Sequence, residues 1–353
     1  MTLLSRSATA KAAAPTPKIT SIAPAAALPG GEFDLRGQHL TPGGMRQPVA
    51  TIGEASAQIV MSHPERVLLR VPEGALPGGV SLQVDGKASN TLPVAVGVLA
   101  AENVHAVANP AVDDDGNIYV TLSGSRGQET PVSVFQIDAQ NQIRPFVTGV
   151  MNATGLTLDG EGNLYISSRQ EGIVYRVTPS GARSIYAEGM GVATGLAFDT
   201  EGNLYVGDRS GTIFKIAPDR QIFVFATLEP SVSAYHLAMN AAGVLFVSGP
   251  TTSSNECIHA IDRDGVTTEY YRGLGRPQGL ACDVDGNLYV AASLEGRRGI
   301  VRITPEKQAE LVVSGSGIVG LAFLPDADGA VLATQTAIYH IGWSVRGYRP
   351  FAL

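Results

Sequence analysis

The sequence has little of several things that mark whole classes of protein. Only 16% of its 353 residues are charged, and the formal net charge is −7. There is no basic run and no basic stripe, so a role in binding nucleic acid is disfavoured. No apolar run approaches the roughly 20 residues that a membrane-spanning helix needs, so no membrane span is predicted.

Cysteine is also scarce, with Cys257 and Cys282 as its two instances. They fall in the third strand of one predicted blade and the first strand of the next, so a disulfide bridge between them is one interpretation. Two buried free thiols are the favoured interpretation, because unpaired cysteine behaves as a small apolar residue.

The N-terminus lacks the apolar core of about 7–15 residues that a secretory signal contains. Residues 1–16 are rich in Ala, Pro and Thr, which predicts a flexible tail. As written, the chain is expected to be soluble and cytoplasmic. The alternative is an exported protein whose leader is missing from this sequence.

Glycine is abundant, with 41 residues, and a repeat is built around it. Each copy is a short apolar run, an Asp/Gly/Asn turn and an alternating apolar run, which predicts two antiparallel strands joined by a tight turn. The copies recur every 40–46 residues and begin at Asn109, Gly155, Gly195, His236, Gly279 and Gly320. They continue into two further strands, and a four-stranded repeat of about 40–50 residues is the signature of a β-propeller blade.

Six copies therefore predict a six-bladed β-propeller over 99–353. Whether the ring closes by exchanging a strand between 98–107 and the last blade stays open at this stage. The connection over 92–108 is short and apolar, which predicts that the propeller packs against the unit that precedes it.

That preceding unit, 17–98, has short alternating apolar runs separated by Pro/Gly turns, which predicts a small β-sandwich. The order of its motifs resembles the immunoglobulin-like IPT/TIG domain; the motifs are Pro17-Lys18-Ile19, Pro29-Gly30-Gly31, Leu35-Arg36-Gly37, Val49-Ala50-Thr51-Ile52-Gly53 and Val71-Pro72. Such domains serve mostly as spacers or contact surfaces, so the resemblance implies no catalysis. The predicted fold class is all-β, with an immunoglobulin-like β-sandwich followed by a six-bladed propeller.

The residues that enter the innermost strands of a propeller ring one mouth of its channel, where polar groups from separate blades converge. The repeat places at this mouth Ala108, Thr154, Thr194, Tyr235, Gln278 and Val319. His236 follows and replaces the repeat glycine. A His beside a Tyr can act as general base and acid, since the pKa of His lies near working pH; the alternative is a structural histidine in a tight turn.

The propeller block resembles NHL-repeat proteins and the senescence-marker/gluconolactonase class of six-bladed propellers. That resemblance implies a lactone hydrolase in which a Glu, two Asn and an Asp hold a divalent cation such as calcium. The corresponding positions are Ala108, Ala153, Thr194 and Gln278, and none is a carboxylate. No metal ligand and no cofactor is therefore predicted, and calcium belongs only to the hydrolase alternative. The His236 arrangement resembles some antibiotic-inactivating lyases of propeller fold.

Three recurring features have structural interpretations. The acidic turns 113–117 and 283–287 faintly resemble calcium loops but lack the EF-hand spacing and its terminal Glu, so they are predicted to be hairpin turns. Asp208-Arg209 and Ser167-Ser168-Arg169 end second strands, where pairing with each other at the surface is favoured over lining the channel. Aromatic residues that recur in phase predict packing between blades; they are Tyr119, Tyr165, Tyr205, Phe246 and Tyr289.

These observations favour a binding or interaction protein that uses the channel mouth for a small polar molecule or a protein partner. His236 and Tyr235 are the candidate catalytic residues; the candidate ligand-binding residues are Thr154, Thr194, Arg276, Gln278 and Asn109. The alternatives are a metal-dependent, gluconolactonase-like hydrolase of lactones or esters and a His-assisted lyase, so whether the protein is an enzyme stays open.

Overall fold

The computed structural model describes residues 15–43, 46–250, 256–325 and 329–351. Across these ranges the chain consists of β-strands and turns, without a helix. The predicted all-β class is confirmed. In the same ranges there is accordingly no helix long and apolar enough to cross a membrane.

The first nine strands surround one hydrophobic core. They are β1 (Lys18–Ala23), β2 (Ala26–Ala27), β3 (Glu32–Gln38), β4 (Val49–Ile52), β5 (Ala55–His63), β6 (Arg66–Arg70), β7 (Gly78–Val84), β8 (Lys87–Ala88) and β9 (Leu92–Val96). Antiparallel pairing runs in the order β1-β3-β6-β5-β4-β7-β9, with β8 beside β7. The alternating apolar residues point inward, so Phe33, Leu35, Ile52 and Leu82 are fully buried. The immunoglobulin-like topology stays a prediction.

The rest of the chain forms the blades of a β-propeller. Four blades pair their strands in chain order from the inner to the outer edge. Their strands are β11 (Ala111–Val112), β12 (Ile118–Thr121), β13 (Val134–Ile137), β14 (Ile143–Val147); β15 (Ala153–Leu158), β16 (Leu164–Ser168), β17 (Ile173–Val177), β18 (Arg183–Glu188); β19 (Ala193–Phe198), β20 (Leu204–Asp208), β21 (Thr212–Ile216), β22 (Ile222–Thr227); β23 (His236–Met239), β24 (Leu245–Ser248), β25 (Cys257–Ile261) and β26 (Thr267–Arg272).

The fifth separate blade closes the ring. It consists of β31 (Ile318–Phe323), β32 (Ala330–Thr334), β33 (Ala337–Ile341) and, at its outer edge, β10 (Val98–Glu102). Val98 lies opposite His340 and Glu102 lies opposite Ala337 in this last pairing. Strand β10, which precedes the first blade in the chain, therefore completes the last blade. The ring thus closes by a strand exchange, a point that the sequence had left open.

The remaining repeat copy does not form a sheet of its own. Its strands β27 (Leu280–Cys282), β28 (Leu288–Leu294), β29 (Arg297–Ile303) and β30 (Ala309–Ser314) pair antiparallel in chain order. However, β30 also pairs in parallel with β2, which joins these strands to the N-terminal sheet in a thirteen-stranded sheet. The structure thus has five separate blades rather than the predicted six, because the outer edge of this repeat is occupied by another strand.

The joint between the two units is narrow and specific. The Leu28 N–H donates to the Ser314 carbonyl at 2.8 Å, and the Glu32 N–H donates to the Ser314 hydroxyl at 2.9 Å. A Cβ at Gly31 would lie 2.3 Å from that same carbonyl oxygen, so the turn that carries Gly31 accepts no side chain there. The predicted packing of the propeller against the preceding unit is confirmed.

The recurrent aromatics fill the spaces between neighbouring blades. The ring of Tyr165, on β16, packs edge-on against Phe198 of the next inner strand at 4.9 Å between centroids. The ring of Tyr289, on β28, packs against Phe323 at 5.2 Å. The prediction that these residues mark packing between blades is confirmed.

Candidate functional site: the upper mouth of the channel

Six inner strands line the channel, namely β11, β15, β19, β23, β27 and β31, and each contacts the next around the ring. We name the end where these strands begin the upper mouth and the end where they turn back the lower mouth. The repeat glycines stand where each inner strand starts and meets its neighbour. A Cβ at Gly155 would lie 2.2 Å from the Thr194 carbonyl oxygen, and one at Gly279 would lie 2.1 Å from Asn109 Oδ1. Glycine is required at this level, the throat, because the backbones approach so closely.

Two of the six copies carry a side chain at the throat, and Asn109 is one of them. Its Nδ2 donates to the Leu280 carbonyl at 2.7 Å, and its Oδ1 accepts the Leu321 N–H at 3.1 Å. One amide thus satisfies backbone groups of two neighbouring inner strands. This contact holds three inner strands together; a ligand-binding role for Asn109 stays a prediction.

His236 is the other side chain at the throat, three copies away and therefore across the ring. It is buried, with 6% of its surface exposed. Burial lowers the pKa of its imidazole to about 4, so the ring is neutral at neutral pH. Among the described residues, none forms a hydrogen bond with its ring nitrogens.

Tyr235 does not share the surroundings of His236. Its hydroxyl donates to the Glu229 carbonyl, and its N–H donates to Thr194 Oγ1 at 3.1 Å. Burial raises the pKa of this phenol to about 12. The ring packs in the core between two blades, so its polar end is already bonded to backbone.

The two candidate threonines are also bonded internally. Thr194 is fully buried, and its hydroxyl donates to the Gly207 carbonyl at 2.9 Å. The hydroxyl of Thr154 donates to the Asn152 carbonyl at 2.9 Å. Their side chains stabilise the turns that lead into inner strands, and their assignment to a ligand site stays a prediction.

Arg276 and Gln278 are the two candidates that share a cavity. It measures about 410 Å³ and opens at the upper mouth between β27–β30 and the last blade. Arg298 and Gln335 line it too. Arg276 and Arg298 are exposed and form no ion pair with any described carboxylate. The cavity therefore presents two cationic and two amide side chains.

A second cavity occupies the channel between the throat and the lower mouth. It measures about 200 Å³, and leucines and polar residues share its wall; the leucines are Leu156, Leu196, Leu237, Leu280 and Leu321, and the polar residues include Asn109, Asp114, Asp159 and Arg349. Its outer end is covered by residues 348–351. Four of these leucines follow a repeat glycine, and Leu237 follows His236.

The covering segment, 342–351, is here named the strap. The Tyr348 N–H donates to the Cys282 carbonyl at 2.8 Å. Arg349 forms an ion pair with Asp114 at 2.6 Å, and the ring of Phe351 packs on Phe198 at 5.4 Å. The strap thus joins three different repeat copies across the lower mouth. The strap could have been predicted from the aromatic residues that follow the last strand, but it was not among the predictions from the sequence.

The acidic turns at the lower mouth are hairpin turns, as predicted. In the second copy, Asp159 Oδ1 accepts the N–H groups of Glu161 and Asn163, each at 2.9 Å, and Oδ2 accepts the Tyr165 hydroxyl at 3.1 Å. The same arrangement of Asp, Asn and Tyr recurs in three further copies, around Asp113, Asp199 and Asp283. Protein donors thus saturate these carboxylates.

The residues at the metal-ligand positions of the gluconolactonase class do not fit a divalent cation. Ala108 and Ala153 offer no donor atom, and the hydroxyl of Thr194 is engaged with a backbone carbonyl. Within the described ranges, no group of three or more His, Cys, Asp or Glu residues is placed to hold a metal ion.

Both cysteines are free thiols. Cys282 is buried, whereas Cys257 is half-buried with its Sγ 3.4 Å from His259 Nε2. Burial raises the pKa of the Cys257 thiol and lowers the pKa of His259, so the pair lacks the shifts of a reactive thiolate.

Pairing between Asp208 and Arg209 is not found. The Asp208 carboxylate accepts the N–H groups of Val192 and Ser210, whereas Arg209 Nε donates to the Ser231 carbonyl at 3.1 Å. The charge of Arg209 instead contributes, after burial, to lowering the pKa of Arg169. These two residues were seen in the sequence at the ends of second strands, but their shared neighbourhood could not be inferred from spacing.

No protein-family model matches this chain, and no curated protein matches it in sequence. Solved structures match its fold. A gluconolactonase from Xanthomonas campestris has 14% identity and a TM-score of 0.59, covering 71% of this chain and 90% of its own. Virginiamycin B lyase from Staphylococcus aureus has 16% identity and a TM-score of 0.51, with 69% and 97% covered. An auxiliary nutrient binding protein from Bacteroides thetaiotaomicron has 12% identity and a TM-score of 0.55, with 94% and 98% covered. At these identities the likeness shows a shared fold alone.

Proposed function

We propose that this protein is a binding protein whose upper mouth holds a small polar ligand. The observation that carries the proposal is the cavity of about 410 Å³ that presents Arg276, Gln278, Arg298 and Gln335. A concave site with a few convergent polar groups is the usual form of a small-molecule site. At the lower mouth, by contrast, the strap covers the channel and protein donors saturate the carboxylates of the four acidic turns.

The whole-chain architecture supports the same proposal. The nutrient binding protein with the same fold is matched over 94% of this chain, which includes the N-terminal strands. We infer that residues 17–98 form an immunoglobulin-like sandwich of IPT/TIG type and that β27–β30 serve as the sixth blade of an NHL-like propeller. The sandwich then stabilises the outer edge of that blade through the pairing of β2 with β30.

The alternative is an enzyme of the hydrolase or lyase class, in line with the fold of the gluconolactonase and lyase structures. The hydrolase lacks a fitting set of metal ligands, so no step through a metal is derived. For the lyase, a neutral His236 is the form that a general base requires. The Tyr235 hydroxyl is bonded to the Glu229 carbonyl, so this residue does not serve as the acid partner in the described geometry.

The binding function is tested by measuring the melting temperature against a panel of small polar metabolites, neutral and charged. A ligand that binds the native state raises the melting temperature in proportion to the logarithm of its concentration over its Kd. Gln278→Ala, Arg298→Ala and Arg276→Ala should weaken the binding of that ligand. Arg346→Ala replaces an exposed arginine at the lower mouth and should leave the binding unchanged. If no compound shifts the melting temperature, or if the mouth variants bind as the parent does, the proposal is wrong.

The enzyme alternative is tested on a panel of sugar lactones and simple lactones, with calcium or zinc added and with chelator. We expect no chelator-sensitive turnover. Turnover that chelator abolishes, together with about one divalent ion per purified chain, would move the hydrolase ahead of the binding function. His236→Ala separates the lyase, because it would abolish a metal-independent elimination and leave ligand binding by Gln278 intact.

A further inference from the structure

Three arginines from three consecutive repeat copies lie at the upper mouth. Arg169 directly follows β16 and Arg209 directly follows β20. Their backbones are held alike, since the Arg169 N–H donates to the Asn152 carbonyl and the Arg209 N–H to the Val192 carbonyl, both at 3.2 Å. The third residue, Arg126, belongs to the loop after β12.

Buried Asn152 fixes the loop that carries Arg126. Its Oδ1 accepts the Gly127 N–H at 3.0 Å, and its Nδ2 lies 2.9 Å from the Gly124 carbonyl and 3.0 Å from that of Ser125. Asn152 itself has a φ of 50°, a conformation that asparagine tolerates better than most residues. The same residue therefore positions Arg126 through its side chain and Arg169 through its carbonyl.

Asn152 places the backbones of Arg126 and Arg169 beside each other, and Arg209 occupies in the next copy the position that Arg169 has in its own. The charges of Arg209 and Arg126, together with burial, lower the pKa of Arg169. Among the described residues, none of the three forms an ion pair. The acidic side chains nearest to Arg169 and Arg209 along the chain are otherwise engaged, since Glu171 accepts from Ser168 and Tyr175 and Asp208 accepts from Val192 and Ser210. Glu129, three residues after Arg126, is exposed and forms no ion pair with a described residue.

Such an arrangement is unfavourable for folding and unusual in a chain of net charge −7. Like charges held together repel, and a half-buried cation without a partner loses hydration. An anion bound between the three groups would relieve both costs. Guanidinium groups suit this role because their planar fork matches carboxylate and phosphate oxygens in a bidentate manner.

We propose that Arg126, Arg169 and Arg209 form the anion-binding part of the upper mouth and select a small ligand that carries two or more carboxylate or phosphate groups. This inference rests on the proposed function, because it names the ligand class for the same mouth. A single carboxylate cannot engage three guanidinium groups in bidentate fashion, so a multivalent oxyanion is favoured. Arg276 and Arg298 belong to the repeat copy across the ring from Arg169, and they give the cavity on that side of the mouth the same sign of charge.

The experiment uses the full chain and isothermal titration calorimetry with citrate and with pyrophosphate, at constant ionic strength, and acetate as the monovalent control. We expect saturable binding of at least one multivalent anion at one site per chain. Arg169→Gln and Arg209→Gln should each weaken it by about tenfold or more, the loss expected from one charge-assisted contact. Arg346→Gln, at the opposite mouth, should bind as the parent does.

The two probes separate the sources of the oxyanion. Binding of citrate alone assigns a polycarboxylate, and binding of pyrophosphate alone assigns a phosphorylated compound. If neither binds, or if Arg346→Gln weakens binding as much as Arg169→Gln does, the arginine site is wrong. A neutral metabolite that binds through Gln278 while both anions fail would overturn this inference and leave the binding function standing. Far-UV circular dichroism of the variants checks that they remain folded.

Discussion

The two mouths of the propeller differ in how their charged groups are satisfied. At the lower mouth, four acidic turns share one pattern in which the carboxylate accepts backbone N–H groups, an Asn amide and a Tyr hydroxyl. The strap then crosses this mouth and pairs Arg349 with Asp114. At the upper mouth, Arg126, Arg169 and Arg209 lie together and form no ion pair with a described carboxylate.

This difference separates groups that build the fold from groups that are left for a ligand. A repeat that satisfies its own polar groups in every copy serves stability, since each bond replaces one lost to water. Charges that are positioned by the fold but not neutralised by it are typical of binding sites, where stability is lower than it could be. The throat, with its glycines, Asn109 and His236, lies between the two regions.

The largest effect is expected where the throat is overfilled. In Gly279→Ala the new Cβ would lie 2.1 Å from Asn109 Oδ1 and 2.6 Å from the Gly320 Cα, so backbones must move apart. We expect a loss of about 3 kcal/mol or more in the free energy of unfolding, at the upper end for overpacking. Gly342→Ala, where a Cβ meets no atom within 4 Å, is the control. Equal urea midpoints for the two variants would contradict the close approach of the inner strands.

A smaller effect should come from the titration of His236. Its folded-state pKa of about 4 lies below the ordinary 6.5, so the unfolded chain binds the proton more readily between these values. Stability is therefore highest above pH 6.5 and falls as the pH drops towards 4, by at most about 3 kcal/mol. His259 and His340 are shifted in the same direction, so the quantity to measure is the difference between His236→Gln and the parent.

That measurement is urea unfolding at pH 7 and pH 5. His236→Gln should lose less stability between the two than the parent does, whereas the exposed His105→Gln should behave as the parent. An unchanged pH dependence in His236→Gln would mean that this side chain is hydrated, and the throat would then belong to the open upper mouth.

A still smaller effect is expected in the acidic turns of the lower mouth. Tyr165→Phe removes the hydroxyl that donates to Asp159 Oδ2 at 3.1 Å and keeps the ring between the blades. We expect the free energy of unfolding to fall by about 1 kcal/mol, the usual net contribution of one such hydrogen bond. The matched control is Tyr186→Phe, whose ring packs on Tyr165 at 4.8 Å and whose hydroxyl has no described partner. Identical thermal midpoints for the two variants would remove the structural role given to these turns.

The features that recur in every repeat copy could be predicted from the sequence, whereas the features that occur once in the chain could not. The period of the strands, the acidic turns and the in-phase aromatics could be predicted because each is set by local chemistry in every copy. The merging of β30 with β2 and the path of the strap depend on contacts between residues far apart in the chain, such as Ser314 with Leu28. No local pattern encodes such contacts, so the count of separate blades was wrong.

The candidate site residues also fall into a group that the sequence could identify and a group that it could not. Arg276 and Gln278 could be found because they flank a repeat position, and they do share a cavity. Thr154, Thr194 and Tyr235 occupy equivalent positions, but the turns between blades already use their polar atoms. Which polar group is engaged by its own backbone depends on the tertiary structure, and so does the convergence of Arg126, Arg169 and Arg209.

The most direct test of the contrast between the mouths is the free energy of unfolding of the Arg169→Gln/Arg209→Gln double variant, measured by urea without added multivalent anions. Removing two unpaired like charges should leave stability equal to the parent or raise it by a few tenths of a kcal/mol, roughly the scale of surface charge effects. A loss of about 1 kcal/mol or more, comparable to that of Tyr165→Phe, would show that the upper arginines hold the fold together and would contradict their assignment to a ligand.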